Sequence, residues 1–197
     1  MSRVGKEITK IPGGATVEFA DGVVTVSGPK GTLTQEIKSP ITVVVENGEV
    51  RVERGNDSNA AKALHGLYSR LIKNMVVGVT EGFVRTLILH GVGYKVAMKG
   101  ADLNLAIGYS HPCDVKAEPG VTFKICTPQD IQALNLGKDG ISQVVQVMGI
   151  SKEKVGAMAS KIRSLRVVEP YHLYGIRYSD ERVLRKESKS GAKGKKK

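Results

Sequence analysis

Apolar and polar residues alternate over short runs in the first third of the chain, and glycine-containing dipeptides interrupt the alternation. "VEFADGVVTVSG" places Asp21-Gly22 between two β-rich runs, and "VVVENGEVRVE" does the same with Asn47-Gly48. These dipeptides supply the positive φ angles of tight hairpin turns, so two hairpins are predicted. Val50 and Val52 alternate with Glu49, Arg51 and Glu53, as in a strand with one buried face. The period then changes. In "DSNAAKALHGLYSRLIKNM", Ala60, Leu64, Leu67, Leu71 and Met75 recur at helical spacing behind the capping candidates Asp57 and Ser58. A lone amphipathic helix must bury its apolar stripe, and the hairpins offer a sheet face.

The second half repeats this order. "RTLILHGVGYKVAMKGADLNLAIGYSHPCDVKAE" and "VTFKIC" read as strands, with turns at Lys99-Gly100 and Pro119-Gly120. A helix follows in "SKEKVGAMASKIRSL", with Val155, Met158, Ile162 and Leu165 on one face and Ser151 as its cap. Strands then a helix, twice over, predict a duplication split near Gly82. The expected fold is α/β of the α+β type: two tandem duplicated domains, each a mainly antiparallel sheet packed against one helix, followed by a basic C-terminal extension. The boundaries are 1–81, 82–169 and 170–197, the last expected to be disordered when free. "IQALNLGKDGISQVVQV" lengthens the second repeat and reads equally as an extra hairpin or a loop. Beyond Glu169 the periodicity stops, and from Ser188 the composition is that of a disordered segment.

Charge narrows the function. Among 197 residues, 30 Lys and Arg face 19 Asp and Glu, for a net +11, while 41% hydrophobic content is ordinary for a folded protein. From Arg177 to Lys197, nine basic residues face three acidic ones, so +6 of the +11 sits there. Such an excess implies a polyanionic partner. No basic amphipathic helix, lipidation motif or bilayer-length apolar run supports a membrane, and "MSRVGKEITK" lacks the apolar core of a signal peptide, so a cytoplasmic location is expected. Cys113 and Cys126 are too few for a disulfide framework or zinc ligand set and read as reduced, partly buried thiols.

Catalytic chemistry finds no residues to rest on. Gly28-Pro29-Lys30-Gly31 resembles a phosphate-cradling or KH-type loop, but it lies between strands and reads as a tight turn with a lysine at its tip. "LGKDG" at Leu136–Gly140 is weaker. Ser110 and His111 lie in "GYSHP", where a nucleophile elbow would need glycine at Pro112. His65, His90, His111 and His172 show no metal spacing. No enzyme, cofactor or metal is expected. Gly100 and Gly120 read as turns. For Gly91-Val92-Gly93 and Gly108, turns or bulges compete with close approach of the backbone to another surface. The tail is richer: Tyr171, Tyr174 and Tyr178 interleave with His172, Arg177 and Arg182, and such rings and guanidinium planes stack on exposed bases while Arg and Lys contact phosphates.

"SRVGKEITKIP" at the start, "GPKG" at 28–31, "HGVGYKV" at 90–96, "GYSHP" at 108–112 and "PYHLYGIRY" at 170–178 together resemble the bacterial type of large-subunit ribosomal protein six, in order and over nearly the whole chain. The resemblance implies two α/β domains from a duplication. It also implies a structural protein that binds large-subunit ribosomal RNA, mainly through the second domain and the extension, near the factor-binding side by the sarcin–ricin loop and the base of the lateral stalk. Implied partners are that RNA, neighbouring large-subunit proteins and nearby translation factors, with no membrane and no homo-oligomer. The location implied is the cytoplasmic ribosome of the bacterial type, organellar ribosomes staying open. Carried over residue by residue, the RNA contacts are Tyr171, Gly175, Arg177, Tyr178, Arg185 and Lys186, then Tyr109, Ser110, His111 and Pro112, then Lys30 and Arg3; Arg182, Lys189, Gly91 and Gly93 join them as candidates. The family usually has lysines and glycines where this chain has His172, Leu173 and Tyr174, which implies stacking there in place of phosphate pairing. It usually has a basic residue where Leu184 stands, and mostly lacks Gln132 to Val147, which reads as an RNA or neighbour contact or an inert loop. The rival from charge alone is a general RNA chaperone or DNA-architectural protein.

Overall fold

The computed structural model describes residues 3–134, 141–187 and 189. The chain divides into two compact units, Met1–Phe83 with Gly149–Lys152, and Val84–Met148 with Glu153–Lys197.

The first unit contains β1 (Thr9–Lys10), β2 (Thr16–Ala20), β3 (Val23–Gly28), β4 (Gly31–Glu36), β5 (Ile41–Glu46), β6 (Glu49–Arg54) and α1 (Asn59–Thr80). Asp21 and Gly22 have φ of 51° and 76°, and Asn47 and Gly48 have 51° and 75°, so both hairpins close through two left-handed residues. The first gives the antiparallel meander β2-β3-β4, and the second gives the sheet β1-β6-β5. Ser58 caps α1 by accepting a hydrogen bond from the Ala61 amide. Val24, Val26, Ile41, Val43, Val50 and Val52 pack with Tyr68, Ile72, Met75, Val76 and Val79 of α1. Of the predicted stripe, Met75 is in this core and Leu64 and Leu71 pack against it, but its other two residues turn away. Leu67 is half exposed and Ala60 exposed, while Ala61, Tyr68 and Ile72 face the core. The helix carries apolar residues on two adjacent rows, and burying the larger tyrosine and isoleucine decides between them.

The second unit contains β7 (Phe83–His90), β8 (Lys95–Lys99), β9 (Asp102–Ala106), β10 (Cys113–Val115), β11 (Val121–Ile125), α2 (Pro128–Ala133), β12 (Ile141–Gly149), α3 (Lys152–Leu165) and β13 (Gly175–Tyr178). Its sheets are the antiparallel meander β10-β9-β8 and the four-stranded β11-β12-β7-β13. Strand, meander, strand pair and helix follow one another as in the first unit, and β7-β12-β11 has the same order as β1-β6-β5. The mixed α/β fold with antiparallel meanders and one long helix per repeat is the expected class.

Two elements exceed the repeat. Helix α2 stands between β11 and β12, where the first unit has only Asn47-Gly48. Thr127 and Asp130 form a capping box at its start, and Ile131 packs on Ile88, Cys126 and Val144. The stretch Gln132 to Val147 therefore finishes a short helix and starts a strand, with 135–140 outside the described residues. The other addition is β13. It pairs antiparallel with β7, Gly175 opposite His90 and Tyr178 opposite Leu87, and buries Ile176 completely. Four residues are too few to show a period, so pairing with β7 makes this segment a strand, not its own pattern.

Candidate nucleic-acid interface

The second unit carries 19 Lys and Arg against 10 Asp and Glu, a net +9, leaving +2 for the first. One end of it gathers most of the candidate residues. Because Gly175 lies opposite His90, the loop leading into β13 and the loop leaving β7 meet at that end.

The loop leaving β7 is built around Tyr94. A Cβ on Gly91 would fall 2.6 Å from the Tyr94 ring, and one on Gly108 would fall 3.4 Å from it. Close approach is thus the reading that holds for Gly91, and the surface approached is the chain's own tyrosine. Ser142 Oγ further pins Gly91, accepting from its N–H at 3.3 Å and donating to its C=O at 2.5 Å. Gly93 stands in open space with φ of 76°, and Val92 at the tip is 87% exposed. Residues 108–112 are all exposed. The Tyr109 hydroxyl donates to the Leu165 carbonyl at 2.9 Å, and the Arg166 guanidinium lies 5.0 Å from the Tyr109 ring centre. Ser110 Oγ and His111 Nδ1 are 3.4 Å apart, at the loop tip.

The loop into β13 is organised by Glu169. Its two carboxylate oxygens accept from the amides of Tyr171 and His172, each at 2.9 Å, and its own N–H donates to the Tyr174 carbonyl. The His172 amide above all, and the Tyr171 amide, hold its carboxyl below the usual carboxylate range. Gly175 then passes so close to Val168 that a Cβ would meet its Cα at 2.6 Å. Gly175 is therefore a buried packing residue. Tyr171, His172 and Tyr174 are left exposed above it. The chain after β13 turns at Tyr178–Glu181 and returns, with the Lys186 amide donating to Pro170 and Arg185 Nε to the Tyr171 carbonyl at 3.2 Å. Arg185 and Lys186 thus stand beside Tyr171. Arg182, Leu184 and Lys189 are exposed along the same return.

Other candidates lie elsewhere. Tyr178 is at the far end of β13, its ring flanked by Arg85 at 4.5 Å and Arg163 at 5.6 Å. Arg163 also binds Glu181 through Nε and Nη2, and Glu181 accepts from the Tyr178 amide. That ring is engaged within the protein. Arg177 is half-buried beside His90, with a buried Nε that has no hydrogen-bond partner among the described residues. Lys30 and Arg3 belong to the first unit. Lys30 Nζ donates to the Glu81 carbonyl at the end of α1, and its N–H donates to Val79, so the GPKG turn serves as a helix C-terminal clasp. Arg3 is exposed. Among the described residues no group of His, Cys, Asp and Glu could hold a metal ion.

Sequence reasoning passed over Tyr94, Glu169, Arg163 and Arg166. Tyr94 stood inside a quoted motif, and its signal was the pair of glycines before it. The other three are charged residues near a helix end that pattern alone assigns to solvent.

Comparison with known proteins bears on the family of the chain. The family described as ribosomal protein L6 matches residues 11–82 and 90–179. The chain is 48% identical over 192 residues to a protein of Clostridium perfringens named large ribosomal subunit protein uL6, covering 97% of this chain and 99% of that one. Proteins of the same name from Geobacter sulfurreducens and Staphylococcus aureus are 42% identical over 193 residues and 46% over 191, covering 98% and 97% of this chain and 100% and 99% of theirs.

Proposed function

The chain belongs to the ribosomal protein L6 family, and from that premise we propose that its second unit anchors it to large-subunit ribosomal RNA through the end built on Tyr94, Glu169 and Arg166. The family is structural and not enzymatic, and the protein is a constituent of the large subunit in cytoplasmic ribosomes of the bacterial type. Its finer placement is the factor-binding side, by the sarcin–ricin loop and the base of the lateral stalk, with neighbouring large-subunit proteins and passing translation factors around it. It enters the subunit as a monomer and touches no membrane.

The observation that carries the RNA assignment is the ordered return of the chain after β13. It sets Arg185 and Lys186 against a loop whose rings, Tyr171, His172 and Tyr174, face outward, on a unit of net +9. Cations for phosphates beside rings for bases suit irregular RNA better than a regular duplex. Sedimentation of cell lysate, probed at low salt and after a high-salt wash, tests it. Stoichiometric presence in the large-subunit peak at both salts is expected. Protein left at the top of the gradient, or bound equally to duplex DNA and arbitrary RNA, would favour a general RNA chaperone or DNA-architectural protein instead.

A further inference from the structure

We propose that the offset ring stack of His172 on Tyr174 is the seat for a single unpaired nucleobase of the bound RNA, with the adjacent phosphate held by Arg185 and Lys186. The inference rests on the RNA-binding reading above and adds the ligand's chemistry at one place. His172 and Tyr174 have ring centres 5.6 Å apart and planes inclined by 23°, and His90 meets Tyr174 edge-on at 5.6 Å and 60°. Both outer rings remain accessible: Tyr174 is 38% exposed, and the His172 side chain 69%. A protein that leaves two stacked rings in water offers a flat apolar face to continue the stack.

The platform is held in place from below. Glu169 takes the amides of Tyr171 and His172, Leu173 adopts φ of 65°, and Gly175 locks the chain against Val168. A base meeting it would lose little loop entropy on binding. The surrounding charge favours a nucleotide over an apolar peptide. Arg177 lies beside His90, while Arg185 and Lys186 are tied by backbone-directed bonds to Tyr171 and Pro170. Burial first, and Arg177 second, hold the His90 imidazole toward its neutral form, so the inner ring acts as a packing edge and adds no cation. The tyrosines that sequence reading would equally nominate are less suited. Tyr178 is enclosed by Arg85 and Arg163, and Tyr109 already lies against Arg166 and donates to Leu165.

The test uses the full-length protein and a transcript of large-subunit ribosomal RNA. Affinity is measured at low and moderate salt, and base reactivity is probed in the complex, for the wild type and for His172→Leu, Tyr174→Leu, His172→Phe and Arg185→Gln. Stacking is indifferent to salt, so each leucine variant should weaken binding about tenfold at both salts with the salt slope unchanged, and expose the same single unpaired base. His172→Phe should restore both, because a ring of any kind suffices. Arg185→Gln should lower the slope instead. Leucine variants that bind as the wild type with no newly reactive base would overturn the stacking seat and leave the RNA reading intact. The seat is overturned equally if their loss comes with a changed salt slope, which reports a misplaced loop. A wild type that does not prefer this RNA over duplex DNA would overturn the RNA reading itself.

Discussion

Gly175 sits at the junction of strand, loop and core, and shows how a residue nominated for binding can be required by the fold. Its φ of 145° and the 2.6 Å from an imagined Cβ to Val168 leave no room for a side chain, and the obstacle is backbone. Gly175→Ala should therefore cost about 2–4 kcal/mol through overpacking and backbone strain, seen as a lower denaturant midpoint. A stability within about 0.5 kcal/mol of wild type would show that the loop yields at the cost of an exposed substitution. His90 gives a prediction in pH. Its imidazole is held below the ordinary 6.5 by burial and by Arg177, so the folded state prefers the neutral ring. Its contribution is complete above the unfolded value and is lost as pH falls from there toward the folded one. Stability should thus begin to drop just below pH 6.5, well before Glu169 and Glu181, whose lowered carboxyls act only below 4.5. Unfolding across pH, compared with His90→Gln, checks it: the variant should lose the upper step and keep the lower one.

At the scale of elements, what could be read from the sequence was whatever declares itself locally. Asp21-Gly22 and Asn47-Gly48 each bring the left-handed geometry their hairpins need, and the strand–helix order of the repeat follows from two changes of period. Strand β13 was illegible because "GIRY" becomes a strand only by pairing with β7. Helix α2 went unread because six residues give no face to detect, and its Thr127–Asp130 capping box shows only in the structure. The α1 stripe was placed correctly at Leu64, Leu71 and Met75 and wrongly at Ala60 and Leu67, because both rows are apolar and only packing separates them. Of the candidate site, the motifs marked loops that meet at one end of the second unit, yet they could not show that Gly91, Gly175 and Lys30 face inward to Tyr94, Val168 and Glu81. That distinction has an experimental consequence. Cutting the chain after Glu169 removes Ile176, wholly buried, and the Arg163–Glu181 pair, so it should loosen β7 as well as abolish RNA contacts. Cutting after Glu187 removes only the lysine-rich sequence 188–197. Hydrogen exchange along 83–90 should rise at least tenfold in the first truncation and stay unchanged in the second. Equal protection in both would mean that β13 adds nothing to the sheet.

For the whole molecule, duplication supplied two copies of one scaffold, and charge then distinguished them: +9 on the second unit and +2 on the first. In the first unit basic side chains meet partners of its own, as with Lys73 and Arg70 on Glu7, Arg54 on Asp57 and Lys30 on the end of α1. A surface neutralised in this way releases few counterions, so the salt dependence of RNA binding should arise almost wholly in the second unit. If about six phosphates are neutralised there, affinity should fall about a thousandfold between low and moderate salt. Removing Arg185 and Lys186 together, as Arg185→Gln with Lys186→Gln, should lower the slope of log K against log salt by about 1–2. Lys30→Gln and Arg3→Gln should leave it unchanged, although Lys30→Gln should cost the first unit about 0.5–1 kcal/mol by freeing the last carbonyls of α1. Filter binding over a salt series reads the slopes, and thermal unfolding reads the stability. A slope reduced as much by Lys30→Gln as by the pair would mean that the first unit also lies on RNA, and that its near-neutral charge conceals a contact the duplication never lost.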